Sequence, residues 1–370
     1  MNSAETKISV EDFRETAQKH CIMSSFVDYS QRIQQDLLSF SQNLQLKTEK
    51  NKQRIKNYQD SPRVNLFTQG NKEFKKYQKF TKKMESLSPI CSTVFSWSKK
   101  QVLLGGYSYL YSCSEDFLEK ASPVLRIRPS GPKAFIRCMA FHPCDKLIAF
   151  SSDVGVFDMY DIDLLFHLNT FTDQKAPITG LNFSSEGSKL ISSSFDGSIL
   201  VYDLIESKIA RKVEISSGIT SMVVSANDSE VIISKDNGKV AIFDNRDSCV
   251  AQMIDAHYGA INTMTINSDS LLSTGGTDGC LRVWDIRNSI SSYECFSNHA
   301  GSVIGVSNGK DGIVYSLSSS GFLHCNSIND GKYSKLDIGD GALSLSYNML
   351  SDYLIVTRQD RVLKVQFSLN

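Results

Sequence analysis

The stretch that decides the fold is LLSTGGTDGCLRVWD, residues 271–285. Two runs rich in strand-forming residues flank a Thr-Asp-Gly step, and such runs predict two β-strands. An Asp-Gly step between strands is typical of a tight hairpin, because glycine adopts a positive φ at little steric cost. The stretch therefore predicts a hairpin that ends on the aromatic residue Trp284 and the acid Asp285.

The same pattern recurs along the chain at a nearly fixed period. Four copies end on an aromatic residue followed by Asp, and two weaker copies follow, the second centred on Arg361. The intervals between successive copies are 42, 41, 41, 42 and 40 residues. The turn glycines of the first five copies are Gly155, Gly197, Gly238, Gly279 and Gly321. A period of this length indicates a repeat architecture in which each repeat is one supersecondary unit.

Each copy also begins with a further strand-like run, which predicts a four-stranded sheet in every repeat. These runs lie at 137–143, 178–184, 219–225, 261–267, 303–307 and 343–348. Residues 92–113 read as three more strands, with a turn at Tyr107 and Ser108. The copies from Ile136 onward and the room before them therefore predict seven sheets between residues 89 and 370.

The residues and their period resemble the WD40-repeat family of β-propellers, in which four-stranded blades repeat around a ring. His257, Thr274, Asp278 and Trp284 stand where the family places a hydrogen-bonded tetrad, and Trp284 with Asp285 forms the name-giving dipeptide. The resemblance implies an all-β, seven-bladed propeller over residues 89–370. It also implies a ring closed by an N-terminal strand that pairs with the last blade.

The tetrad is incomplete in the other repeats. The third repeat has Ser192, Asp196 and Tyr202 at the corresponding positions but no matching histidine. The second, sixth and seventh repeats lack most of the tetrad, so the shared period carries the resemblance more than any one blade.

An α-helical arm is predicted ahead of the propeller, over residues 1–88. Residues 9–58 contain no glycine or proline, and apolar side chains recur every three or four positions from Phe26 to Leu44. That spacing keeps them on one helix face. A second stripe, after Pro62, runs through Phe74 and Phe80 to Leu87. Because narrow stripes must be covered, the pattern predicts a coiled-coil-like hairpin that packs on itself, on the propeller or on another chain.

Charge divides the chain in the same way. Residues 1–88 hold 16 basic and 10 acidic side chains, a net charge of +6, and the rest of the neutral chain therefore carries −6. Residues 47–83 contain 12 basic and three acidic side chains with aromatic residues between them, which makes RNA a candidate partner. A solvated helix face, or a surface matched to an acidic protein, is the alternative. The candidate partner or RNA contacts are Lys72, Lys75, Lys76, Lys79, Lys82, Lys83, Arg126 and Arg128.

The sequence contains no catalytic or cofactor motif of the P-loop, dinucleotide, nucleophile-elbow or zinc-protease type. Its nine cysteines show no C-x-x-C spacing, and its six histidines are dispersed. We therefore predict a non-enzyme with no cofactor, metal or small-molecule substrate. The polar N-terminus and the lack of a long apolar stretch predict an intracellular protein with no membrane partner. The basic arm favours the nucleus, including the nucleolus, over the cytoplasm.

These features favour a scaffold subunit that holds protein partners on the propeller rim and the arm. The basic arm resembles those of WD40 proteins in nuclear RNA-processing or ribosome-assembly particles. One alternative is a substrate-receptor adaptor of a cullin-type ubiquitin ligase, since residues 284–287 are similar to the W-D-x-R box of such receptors. Arg287 would then contact the ligase, although it could equally pair with an acid. Another alternative resembles G-protein β subunits or autophagy scaffolds, in which a coiled-coil arm precedes the ring.

Overall fold

Seven four-stranded antiparallel sheets make up the part of the chain that the computed structural model describes. That part comprises residues 80–83, 90–96, 98, 101–107, 109–114, 125–127, 135–152, 155–164, 166–245, 250–267, 270–287, 292, 294–297, 299–328, 333–349, 351–359 and 361–366. These residues form 28 strands and no helix. Except for Phe80–Lys83, the predicted helical arm lies outside the described residues.

Blades 1 to 4 take their strands in chain order. Blade 1 contains β2 Ser92–Phe95, β3 Gln101–Gly105, β4 Leu110–Ser114 and β5 Leu125–Ile127. Blade 2 contains β6 Met139–Phe141, β7 Leu147–Ser151, β8 Phe157–Asp161 and β9 Phe166–Phe171. Blade 3 contains β10 Ile178–Phe183, β11 Lys189–Ser194, β12 Ser198–Asp203 and β13 Lys208–Glu214. Blade 4 contains β14 Ile219–Val224, β15 Glu230–Lys235, β16 Lys239–Asp244 and β17 Val250–Asp255.

Blades 5 and 6 follow the same rule, whereas blade 7 borrows its outermost strand from the beginning of the described chain. Blade 5 contains β18 Ile261–Ile266, β19 Leu271–Gly276, β20 Leu281–Asp285 and β21 Glu294–Phe296. Blade 6 contains β22 Val303–Asn308, β23 Ile313–Ser318, β24 Phe322–Ser327 and β25 Tyr333–Asp337. Blade 7 contains β26 Ala342–Asn348, β27 Tyr353–Arg358, β28 Arg361–Gln366 and β1 Phe80–Lys83. The predicted first strands and the seven-blade architecture are confirmed.

The strand β1 closes the ring by pairing antiparallel with β28, with Phe80 opposite Lys364 and Lys83 opposite Arg361. The helical stripe predicted through Phe80 is wrong at these four residues, where the backbone is a strand. The edge of β28 would otherwise present a row of unpaired N–H and C=O groups, and an extended segment such as β1 pairs with them. The closing pairing implied by the resemblance is therefore present, and it is formed by residues that the sequence pattern places in the arm.

The first and last blades also meet at the centre of the ring, where the first strands of neighbouring blades contact one another. Thr93 of β2 lies against two serines of β26: its Oγ1 is 3.2 Å from Ser344 Oγ and 2.5 Å from Ser346 Oγ. The Ser346 hydroxyl also donates to the Thr93 carbonyl oxygen at 2.9 Å. These hydrogen bonds join strands that are about 250 residues apart in sequence.

Among the described residues, the hydrophobic core consists of seven clusters, and each lies between two adjacent blades. The cluster between blades 7 and 1 includes Phe95 and Tyr353, whose ring centroids are 5.8 Å apart in an edge-to-face arrangement. Between blades 2 and 3, the rings of Phe157 and Tyr202 are 5.3 Å apart. Since seven blades in a closed ring have seven interfaces, the burial of apolar area itself depends on closure.

The predicted hairpin glycines have positive φ angles, which confirms the turn assignment. Gly197 has φ +84° and Gly238 has φ +80°. A Cβ atom at these positions would lie 2.2 Å from the Ile215 carbonyl oxygen and 2.1 Å from that of His257. Only glycine fits both the backbone angle and the close approach of the neighbouring loop.

Candidate functional site

In blade 5, four side chains form one continuous chain of hydrogen bonds. His257 Nδ1 lies 2.9 Å from Asp278 Oδ1, and His257 Nε2 lies 2.8 Å from Thr274 Oγ1. Trp284 Nε1 donates to the same threonine oxygen at 3.1 Å. The loop before β18 carries the histidine, β19 the threonine, the following turn the aspartate and β20 the tryptophan. The network therefore links two strands, the turn between them and the entry loop of the blade.

The burial and the hydrogen bonds of this network favour a neutral His257 imidazole and an ionised Asp278 carboxylate. Burial lowers the pKa of His257, and the nearby Arg282 adds to this effect against the raising influence of Asp278. Burial alone would raise the pKa of Asp278, but hydrogen bonds from Arg282 and His257 outweigh it and lower the pKa to about 2. Arg282 Nη1 donates to Asp278 Oδ2 at 2.9 Å. A neutral His257 can donate through Nδ1 and accept the Thr274 hydroxyl at Nε2.

Blade 3 builds a related network with glutamine in the place of histidine. The Ser192 hydroxyl donates to Gln174 Oε1 at 3.0 Å, and Gln174 Nε2 donates to Ser198 Oγ at 3.0 Å. Gln174 is buried, and an amide can accept and donate at once, as a neutral imidazole does. Asp196 lies in the turn beside it and accepts the Lys175 and Ser198 backbone N–H groups, each at 2.8 Å.

Blade 6 has a three-membered version of the network and a second histidine, His324, which is buried. His299 Nε2 is 2.8 Å from Ser316 Oγ, to which Asn326 Nδ2 donates at 3.1 Å. The His324 ring packs against His299 with centroids 4.2 Å apart and ring planes tilted by 43°, and neither of its nitrogens has a hydrogen-bond partner among the described residues. Burial lowers the pKa of both histidines to about 4. Both imidazoles are therefore neutral at physiological pH.

The buried His142 likewise joins two neighbouring blades. His142 Nε2 lies 3.0 Å from the Gly187 carbonyl oxygen, which links blades 2 and 3, and burial lowers its pKa to about 4. Burial raises the pKa of the Cys138 and Cys325 thiols to about 12. Among the described residues there is no cluster of three or more His, Cys, Asp or Glu side chains that could hold a metal ion. In the same part of the chain, no helix is long and apolar enough to cross a bilayer.

The turns from first to second strand and from third to fourth strand all lie on one face of the ring, because neighbouring strands are antiparallel. We name this the hairpin face, and we include the strand residues beside the turns. The turns from second to third strand, which contain Gly197 and Gly238, lie on the opposite face. In its described part, 12 acidic and 5 basic side chains are exposed or half-buried, a net charge of −7. The acids are Asp145, Asp163, Glu186, Asp203, Glu206, Asp228, Glu230, Asp244, Asp285, Glu294, Asp311 and Asp352. The bases are Lys146, Lys189, Lys208, Arg287 and Lys310.

Arg287 lies on the hairpin face, where it pairs with an acid of its own turn. Its Nε and Nη2 atoms donate to the two carboxylate oxygens of Asp285 at 2.9 and 2.8 Å. These contacts lower the pKa of Asp285. The arginine side chain nevertheless remains 68% exposed, so a partner could still reach it.

The predicted RNA or partner contacts are not brought together in the described structure. The backbone of Lys82 and Lys83 belongs to β1, and that of Arg126 belongs to β5, where it pairs with Tyr111. The remaining residues of that set lie outside the described residues: Lys72, Lys75, Lys76, Lys79 and Arg128. Their role as contacts stays a prediction.

Two segments of the chain match the family described as WD domain, G-beta repeat, at residues 166–203 and 248–285. The chain carries WD40 repeats. The first match starts on β9 of blade 2 and continues through β10, β11 and β12 of blade 3. Each WD40 repeat therefore spans two blades, so the last blade lacks a fourth strand unless another segment supplies it. In this WD40 propeller, β1 is that segment.

The chain is also similar to eukaryotic translation initiation factor 3 subunit I of Anopheles gambiae, with 28% identity over 86 residues. The similarity covers 23% of this chain and 26% of that protein, so the chain spans about a quarter of the relative's length. The match supports similarity over a short region only.

The sequence pattern alone does not single out Gln174 or Arg282. A usable signal was nevertheless present, because His257, His299 and Gln174 each lie four residues before the first strand of their WD40 blade. Aligning the repeats on that strand, rather than searching for histidine, finds the glutamine. Arg282 follows Asp278 by four residues, but only the pairing of β19 with β20 brings its guanidinium onto the carboxylate.

Proposed function

We propose that the chain is a non-catalytic scaffold that holds protein partners within a larger assembly. The observation that carries this proposal is where the described polar and charged side chains lie and what they contact. His142, His257 and His299, and the other tetrad residues, contact neighbouring strands and blades. Many of the exposed charged groups lie on turns around the ring or on its outer strands, where a propeller offers surface for binding partners.

We further propose that the assembly contains RNA, in the manner of a ribonucleoprotein particle. The support is the basic stretch at residues 47–83 and a relative whose name places it in a translation initiation factor. Six lysines of that stretch, Lys72, Lys75, Lys76, Lys79, Lys82 and Lys83, are proposed to neutralise phosphates. Localisation in the nucleus belongs to this proposal, and imaging of the tagged chain tests it.

Purification of the tagged full-length chain with mass spectrometry tests the scaffold proposal. We expect a reproducible set of proteins at fixed stoichiometry that survives treatment with ribonuclease. A chain that purifies alone from its native cells would contradict the scaffold function.

The RNA component is tested separately with a variant in which the six lysines are changed to glutamine. Copurifying RNA should fall with this variant and with added salt, because counterion release drives phosphate binding. The matched control changes Lys146, Lys189, Lys208 and Lys310 of the hairpin face to glutamine and should retain the RNA. Equal loss from both variants would refute a specific role for the N-terminal lysines.

A further inference from the structure

A cavity of about 190 Å³ opens at the centre of the hairpin face. It lies at the ends of the first strands of blades 1 to 4, so it forms the mouth of the central channel on this side. Its walls are mostly apolar and include Phe95, Phe141, Phe183 and Val224. An apolar cavity of ~150 Å³ is known to accept a benzene ring, so this one has room for one large apolar side chain.

The rim of the cavity is held in place by carboxylates that join neighbouring blades. Asp228 Oδ2 of blade 4 accepts the Ser185 backbone N–H of blade 3 at 2.6 Å, and it also accepts the Ser185 hydroxyl. Asp145 Oδ2 of blade 2 accepts the Ser98 backbone N–H of blade 1 at 2.7 Å. Because these turns are fixed before any partner arrives, binding would cost little ordering of the site.

The carboxylates around the mouth make this surface negatively charged. Asp228 lines the cavity, and its second oxygen, Oδ1, accepts no hydrogen bond from the described residues. In the described part of the hairpin face, Lys208 pairs with Glu206 and Arg287 with Asp285, which leaves the net charge of that part at −7. This negative charge attracts cations and repels phosphate groups, which argues for a protein partner at this face and against RNA.

We propose that this channel mouth binds a basic segment of a protein partner, which inserts one large apolar side chain into the cavity. Lysine or arginine residues flanking that side chain pair with Asp228 and with the other acids of the surrounding turns. The inference rests on the proposed scaffold function and specifies the chemistry of one partner. It also leaves the opposite face of the ring free for other subunits.

The probe is a short fluorescent peptide of lysines with one central phenylalanine, titrated with the full-length chain by fluorescence anisotropy. Matched peptides carry serine in place of phenylalanine, or glutamate in place of every lysine. Since burial of one such side chain contributes about 1.5 kcal/mol or more, the phenylalanine peptide should bind about tenfold or more tightly than the serine peptide. The glutamate peptide should not bind. Equal affinity for the phenylalanine and serine peptides would overturn the proposal.

Variants locate the binding at the cavity. Ala226 lines the cavity and is exposed, so Ala226→Trp should fill the mouth and reduce binding of the phenylalanine peptide to the level of the serine peptide. The matched control is Ala210→Trp, at an exposed alanine on the outer strand β13, and it should bind like the unchanged chain. Asp228→Asn should weaken both lysine peptides. Equal effects of the two tryptophan variants would refute the site.

Other occupants give different results. If light scattering shows a dimer that Ala226→Trp dissociates, the mouth binds a second copy and the proposal is wrong. It is also wrong if a single-stranded oligouridine displaces the phenylalanine peptide. If the peptide does not bind but protein subunits still copurify, the proposed site is wrong and the scaffold function stands. If the peptide binds but no protein copurifies with the chain, the site is supported and the scaffold function is wrong.

Discussion

Replacement of Thr274 by valine removes the hydroxyl on which the blade 5 network depends, while it preserves the shape of the side chain. The Thr274 oxygen accepts from Trp284 and lies 2.8 Å from His257 Nε2, and Thr274 itself is fully buried. The variant leaves two buried polar groups, the indole N–H and the imidazole nitrogen, without partners. Each such group costs about 1–3 kcal/mol. We therefore expect Thr274→Val to lower the free energy of unfolding by about 3 kcal/mol.

Urea unfolding at pH 7, followed by circular dichroism, measures this change as a shift of the midpoint at unchanged slope. The matched control is Thr277→Val, because Thr277 lies exposed in the next turn of the same blade. It should change the free energy of unfolding by less than about 0.5 kcal/mol. If the two variants lose the same stability, or if Thr274→Val loses less than about 1 kcal/mol, the hydrogen-bond network does not stabilise the blade as described.

Three further outcomes are expected. Because the folded pKa of His142, His299 and His324 is about 4, below the ordinary value near 6.5, the unfolded chain binds protons first as the pH falls. The free energy of unfolding should therefore be highest above about pH 6.5 and fall between pH 6.5 and 4. Protonation linked to His142 alone should lower it by on the order of 2 kcal/mol at pH 5. Thermal melts that show unchanged stability down to pH 4 would contradict this. Gly197→Ala should lower the free energy of unfolding by more than about 2 kcal/mol in urea melts, because φ is +84° and the new Cβ meets the Ile215 carbonyl. Gly218→Ala should lower it less, because its Cβ meets only the Phe195 ring and backbone at 3.1–3.2 Å. The reverse order would be inconsistent with the turn geometry. Iodoacetamide should modify the exposed Cys295 in the native protein but should reach the half-buried Cys138, whose thiol pKa is about 12, only after denaturation. Peptide mapping would show this, and early labelling of Cys138 would contradict the raised pKa.

The repeat period made most of the fold predictable, because each repeat contains its own strand and turn signals. Gly197 and Gly238 mark tight turns whatever the rest of the chain does, and the strands on either side pair locally. The tetrad positions in blade 5 follow from the resemblance to WD40 repeats. Local patterns therefore define the blades, their number and the positions of the polar residues between their strands.

Features that depend on distant pairing were not predictable in the same way. Phe80 falls at the spacing of a helical stripe, yet β1 lies on the edge of β28, which is about 280 residues away in sequence. The role of Gln174 depends on Ser192 and Ser198 in neighbouring strands rather than on its own residue type. The cavity at the channel mouth is built from four different blades, so no single repeat encodes it.

Closure of the ring is the claim on which the scaffold function and the channel mouth both depend. Hydrogen–deuterium exchange of the intact chain, read by mass spectrometry over residues 80–83 and 361–366, tests it without altering a residue. In a closed ring, β28 lies between β27 and β1, so its amides should exchange as slowly as those of the second and third strands of the other blades. The amides of Phe80–Lys83 that bond to β28 should also be protected. Complete exchange of both segments within seconds, while the other blades remain protected, would show that the ring is open.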